Sequence, residues 1–133
     1  MNDYLKILKQ LNKKAIKKGD IPVSALIIYN NKIIAKAYNR RYKDNDPLGH
    51  AEIIAIKKAS KYLKTPNLVD CEMYVSLYPC DMCNEVIKES RIKKVYYFAK
   101  KEKNINNTIS YIKLDDEKSY FSNELSSFFK NKR

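Results

Sequence analysis

The only histidine of the chain, His50, opens the run His50-Ala51-Glu52, and a later run reads Pro79-Cys80-Asp81-Met82-Cys83. These two short motifs constrain the fold more than any other feature, because their chemistry requires them to meet. One imidazole and two thiolates fill three corners of a tetrahedral zinc site and leave the fourth open to water, which then ionises near neutral pH. Glu52 is not needed as a ligand and is free to move protons. Pro79 opens a helix that carries Cys80 and Cys83 in its first turn, where the helix dipole and free amides favour thiolates. Asp46-Pro47 prepares a second helix beginning near His50, with Ile53, Ile54, Ile56 and Ala59 on its apolar face. Two helix N-termini thus converge on one site.

The same residues allow other readings. A redox Cys-x-x-Cys pair leaves His50-x-Glu52 unexplained, and a His-Glu-x-x-His protease needs a second histidine. A closed structural zinc site would have to recruit the third cysteine, Cys71, as a fourth ligand. Cys71 stands in Val69-Asp70-Cys71-Glu72, just before an apolar strand, where burial as a small apolar residue is the simpler account. Both remain open from these residues alone.

With 133 residues the chain is read as one domain, 1–133, able to bury a core without disulfide help. Three cysteines, two of them committed to metal, suit a reducing compartment. The segment Met1-Asn2-Asp3-Tyr4-Leu5-Lys6 lacks a signal peptide's apolar core, and no apolar run is long enough to span a membrane. A cytoplasmic location with no membrane contact is expected. The excess of 27 Lys and Arg over 15 Asp and Glu, a net +12, favours a polyanionic partner. Much of that lysine is also consistent with solvated surface.

Asn2 to Lys18 reads as an amphipathic helix burying Leu5, Leu8, Leu11, Ala15 and Ile16, ended by Gly19-Asp20. Pro22 to Tyr29 is a strand too continuously apolar for a half-exposed edge and is expected to be covered on both faces. Asn30-Asn31 turns it into a second strand, Ile33 to Tyr38, which delivers Asn39 to an irregular polar stretch from Arg40 to Gly49. After Thr65-Pro66-Asn67, a third strand, Met73 to Leu77, ends directly before Pro79. The helix through Glu89 leads to a fourth strand, Lys94 to Ala99, and this spacing implies a parallel pair with a right-handed crossover. A polar loop from Lys100 to Asn107 precedes a fifth strand, Ile109 to Leu114. A last helix, about Lys118 to Lys130, packs through Phe121, Leu125, Phe128 and Phe129, and the basic cluster Lys130-Asn131-Lys132-Arg133 is suited to phosphate contact.

Taken together these motifs resemble the tRNA-specific adenosine deaminases, in which His-x-Glu is paired with Pro-Cys-x-x-Cys as in other zinc nucleobase deaminases. The resemblance covers nearly the whole chain. It includes Gly19-Asp20-Ile21-Pro22-Val23, Asn39-Arg40, Asp46-Pro47-Leu48-Gly49-His50-Ala51-Glu52, Ser90-Arg91-Ile92 and the ending Leu125 to Arg133 with Phe128-Phe129. It implies a three-layer α/β/α cytidine-deaminase-like fold around a central mixed five-stranded sheet. It also implies one zinc per protomer on His50, Cys80 and Cys83, Glu52 as proton shuttle, and no organic cofactor. Asn39 and the Ala51 main chain would contact substrate, and Ile21 and Val23 would form the pocket wall. The implied activity is conversion of adenosine to inosine at the wobble position of a tRNA, bound through its anticodon stem-loop by a homodimer. In that reaction water attacks C6 of a splayed-out adenine, Glu52 carries the water proton to N1, and a second proton then goes to the departing ammonia.

Some positions differ from the family pattern. Tyr78 replaces the usual Glu before Pro-Cys, Gly49 replaces Ala before His, and Asn84-Glu85-Val86 replaces small residues after the second cysteine. Phe98-Ala99-Lys100-Lys101 lacks the usual Gly, and Asn104 to Thr108 lacks glycines. Two other functions compete. A free-base deaminase acting on guanine or cytosine shares both zinc motifs but gains nothing from a basic surface. A non-catalytic RNA-binding partner subunit would have no use for Glu52.

Overall fold

The computed structural model describes residues 2–100 and 109–131. The element order is α1 (Asn2–Lys17), β1 (Ser24–Tyr29), β2 (Lys32–Tyr38), α2 (Arg41–Asp44), α3 (Ala51–Leu63), β3 (Glu72–Leu77), α4 (Asp81–Ser90), β4 (Lys94–Ala99), β5 (Ser110–Lys113) and α5 (Tyr120–Asn131). The strands form one mixed five-stranded sheet in the order β2-β1-β3-β4-β5. β1 pairs antiparallel with β2 and β3, whereas β3, β4 and β5 run parallel. Asn30 and Asn31, at φ 51° and 61°, make the tight β1–β2 turn, since asparagine tolerates the left-handed region that such a hairpin demands.

The continuous apolar run of β1 is explained by two cores. Ala25 and Ile27 face one, with Met73, Val75, Val95 and the α3 residues Ala51, Ala55, Ile56 and Ala59. Leu26 and Ile28 face the other, with Tyr74, Phe98, the α1 leucines Leu5, Leu8 and Leu11, and Phe121 of α5. The result is the expected three-layer α/β/α arrangement. Phe98 and Phe121 meet edge to face with ring centroids 5.5 Å apart, and burying each contributes about 1.5–3 kcal/mol. Among the described residues no helix is long and apolar enough to cross a membrane.

Local expectations differ from the structure at four places. Ile16 is exposed, and the polar Asn12 takes the inward position on α1, donating to Pro22 O (3.0 Å) and Glu124 Oε1 (2.8 Å). That pair fastens α5 to α1. The stretch after Asn39 is not wholly irregular, because Arg41–Asp44 forms the short helix α2. Pro79 lies outside the next helix, and Cys80 is its N-cap. On α5 only Phe121 is buried, while Phe129 is exposed. The readings of a loop through Asn107, of Asn104 to Thr108, and of Lys101, Lys132 and Arg133 fall outside the described residues.

Gly49 has a steric reason. A Cβ there would lie 2.8 Å from Arg40 C and 2.9 Å from Arg41 N, because Arg40 N–H donates to Gly49 O at 2.8 Å. Gly49→Ala is expected to cost about 1–3 kcal/mol by overpacking. Urea unfolding of the two proteins measures it, and an unchanged midpoint would show that residues 40–41 yield freely.

Candidate active site

β3 and β4 end side by side, with Tyr78 N–H donating to Ala99 O (2.8 Å). The chain then turns through Pro79 and starts α4, leaving Cys80 at the cap and Cys83 one turn in. On the same side of the sheet, His50 is the N-cap residue of α3. A His50 ring nitrogen and the Cys80 and Cys83 sulfurs all lie within 4.8 Å of one another. Those three donors are the only such group among the described residues, and Cys71 is absent from it. Cys71 is instead buried in the core that α3 packs on, so no fourth sulfur among the described residues closes the site.

The electrostatics suit a cation. Cys80 is held down to about 3 by hydrogen bonds from Cys83 and then His50, which outweigh its partial burial. The Cys83 thiol is pushed up because it donates to Cys80, and burial adds to this. His50 is raised chiefly by its bond to Cys80. Cys80 is thus the thiolate that Cys83 and His50 both face, and metal binding would displace the thiol proton of Cys83. Glu52 is buried, and desolvation pushes its carboxyl up to about 7. Its Oε1 has no hydrogen-bond partner among the described residues. An orphaned carboxylate oxygen beside one imidazole and two sulfurs is a donor set that fits zinc, with the carboxylate left over for a second task.

A cavity of about 830 Å³ opens over this group, lined by His50, Glu52 and Cys80 and walled on one side by Ile21, Val23 and Asn39. α5 contributes Ser122, Leu125, Ser126 and Phe129 to it. Ala51 is fully buried and lies outside the lining. Its N–H donates to Asn39 Oδ1 at 2.9 Å, which orients the Asn39 amide and leaves its nitrogen to offer. Asp20 holds the wall in place, accepting from Ile21 N–H (3.1 Å), Tyr42 N–H (2.9 Å) and Lys43 N–H (3.3 Å). The sequence marked Gly19-Asp20 only as a helix end and part of a motif, and nothing local reveals this bridge.

Two lining cations, Arg41 and Lys100, escaped the sequence reading as site residues, since each looks like ordinary basic surface, whereas Lys130, which also lines the cavity, belongs to the basic cluster read as suited to phosphate. Tyr78 is buried at the cavity edge, edge-on to Tyr97 and beside Tyr111, with Lys100 Nζ 4.7 Å from its ring centroid. Asn84 donates to Pro79 O (3.2 Å) and accepts from the Tyr111 hydroxyl. The bulk after Cys83 therefore braces the turn that carries Cys80.

This fold and this donor set are matched by known proteins. Residues 1–99 match the cytidine and deoxycytidylate deaminase zinc-binding region, and the chain belongs to that family of zinc-binding deaminases. A tRNA-specific adenosine deaminase of Aquifex aeolicus is 40% identical over 86% of this chain and 75% of its own length. One from Buchnera aphidicola (subsp. Schizaphis graminum) is 37% identical over 98% of this chain and 94% of its own. Within the family the chain belongs with the tRNA-specific adenosine deaminases. A solved structure from work on tRNA:A34 deaminases shares the fold, at a TM-score of 0.78 and 24% identity over 84% of this chain and 97% of that one. The guanine deaminase of Bacillus subtilis is 39% identical with a TM-score of 0.66, over 71% of this chain and 63% of that one.

Proposed function

We propose that the chain hydrolyses the 6-amino group of adenosine in tRNA, giving inosine at the wobble position. Glu52 carries this reading: a buried carboxylate with an unpartnered oxygen, set beside three metal donors in a family of deaminases. Zinc held by His50, Cys80 and Cys83 supplies Lewis-acid activation of water near neutral pH. Asn39, oriented by the Ala51 N–H, offers its amide nitrogen to the purine. Ile21 and Val23 form an apolar wall against the base. Glu52 takes the proton that the attacking water loses and delivers it to N1, then takes the proton of the new C6 hydroxyl and passes it to the departing amine as the C6 carbonyl forms. The C6–N bond breaks and ammonia leaves. One zinc per protomer, a single domain, a homodimer and a cytoplasmic location complete the proposal; they rest on family resemblance and on the reducing conditions that free Cys80 and Cys83 need.

The guanine deaminase similarity supports a second reading, a free-base enzyme. A side-by-side assay separates them: zinc-loaded protein with an adenosine-containing anticodon stem-loop, free guanine and free cytosine, scoring inosine and ammonia. Inosine at the wobble position is expected, with stem-loop affinity falling steeply as salt rises. Ammonia from a free base alone would overturn the tRNA assignment.

A further inference from the structure

Arg40 and Arg41 are neighbours with opposite fates. Arg40 is spent locally, donating to both carboxylate oxygens of Asp44 (2.9 and 3.1 Å) and to the Tyr38 hydroxyl (3.2 Å). Arg41 lines the cavity over Glu52. Its Nε is buried with no hydrogen-bond partner among the described residues, and no ion pair to it occurs among them. The Tyr42 ring lies 5.4 Å from its guanidinium carbon. A cation held with a donor desolvated and unpaired is costly unless an anion completes it.

Its backbone is fixed as well. The preceding Arg40 N–H is tied to Gly49 O, and the following amides, Tyr42 and Lys43, are tied to Asp20. The backbone that carries Arg41 is therefore held on both sides, and Arg41 shares the cavity lining with His50 and Glu52. An adenosine with its base over Glu52 brings a phosphodiester on either side of its ribose, and guanidinium forks match phosphate oxygens two at a time.

We propose that Arg41 binds a phosphodiester flanking the adenosine whose base occupies the cavity, so that the enzyme grips the substrate backbone at the reacting nucleotide itself. This rests on the tRNA reading above. Backbone contacts next to an extruded base set both its position and the preference for a polymer over a free base.

The test is a chemical double-mutant cycle. Wild type, Arg41→Ala and Arg41→Lys are assayed on anticodon stem-loops whose two phosphates flanking the wobble adenosine are native or, one at a time, neutral methylphosphonate. Zinc content and unfolding midpoints are measured in parallel. Arg41→Ala should lower kcat/KM by roughly 10- to 100-fold, with Arg41→Lys in between and zinc unchanged. Neutralising one particular phosphate should cost wild type a comparable factor and cost Arg41→Ala little more. The salt dependence of stem-loop affinity should also lose about one unit of slope. Full additivity at both phosphates, or an Arg41→Ala defect that tracks lost zinc or stability, would overturn the phosphate contact while inosine formation keeps the tRNA reading. A wild type that deaminates guanine and makes no inosine in the stem-loop removes both.

Discussion

Glu52→Gln is expected to reduce deamination by roughly 10²- to 10⁴-fold, the range that a positioned proton carrier supplies, with zinc content unchanged. Glutamine keeps the shape and one oxygen of the buried side chain but cannot accept the water proton. The structure gives the reason to expect loss of rate without loss of metal. Glu52 is buried at the end of the cavity with one oxygen unpartnered, and the three donors gathered there are His50, Cys80 and Cys83. Single-turnover inosine formation and metal analysis of the same sample decide the matter. Full activity would remove Glu52 from the proton path, and loss of zinc together with activity would make it a ligand.

Cys83→Ser is expected to have the second large effect. Cys83 is fully buried in the first turn of α4, and its sulfur is hydrogen-bonded to Cys80. Replacing a buried thiolate donor by a hydroxyl takes away one ligand of three. Merely disturbing an outer partner of a zinc ligand costs about 10–100-fold in affinity, so the loss here should exceed about 100-fold. Activity should disappear with the metal. Cys71→Ser is the control, because Cys71 belongs to the core and should leave the zinc content at its wild-type value. Competition against a chelator measures both. Retention of metal by Cys83→Ser would sink the ligand assignment, and loss of it in Cys71→Ser would reinstate a closed four-ligand site.

The strands were legible because their signal is local. Lys94–Ala99 could be read to the residue, and β1 announced by its unbroken apolar run that both of its faces are covered. The gathering of His50, Cys80 and Cys83 was legible because such a donor set has a use only if the two motifs meet. What stayed hidden depends on contacts between distant segments. Nothing near Asn12 shows that it reaches Pro22 and Glu124, or near Asp20 that it bridges to Tyr42 and Lys43. Helical periodicity also resolves adjacent residues poorly. Ile16 beside Ala15 and Phe129 beside Phe128 both looked inward, yet both are exposed, since one residue moves the side chain by about 100°. Arg41 was invisible because a free cation and a paired one are the same letter.

The family match stops at residue 99, whereas the outer rim of the cavity comes from α5, hooked to α1 through Asn12 and Glu124. The mouth of the cavity is therefore shared between that region and a helix outside it. α5 holds none of the three metal donors, so a substitution on its cavity face, at Ser122, Leu125 or Ser126, reshapes the entrance while leaving His50, Cys80 and Cys83 untouched.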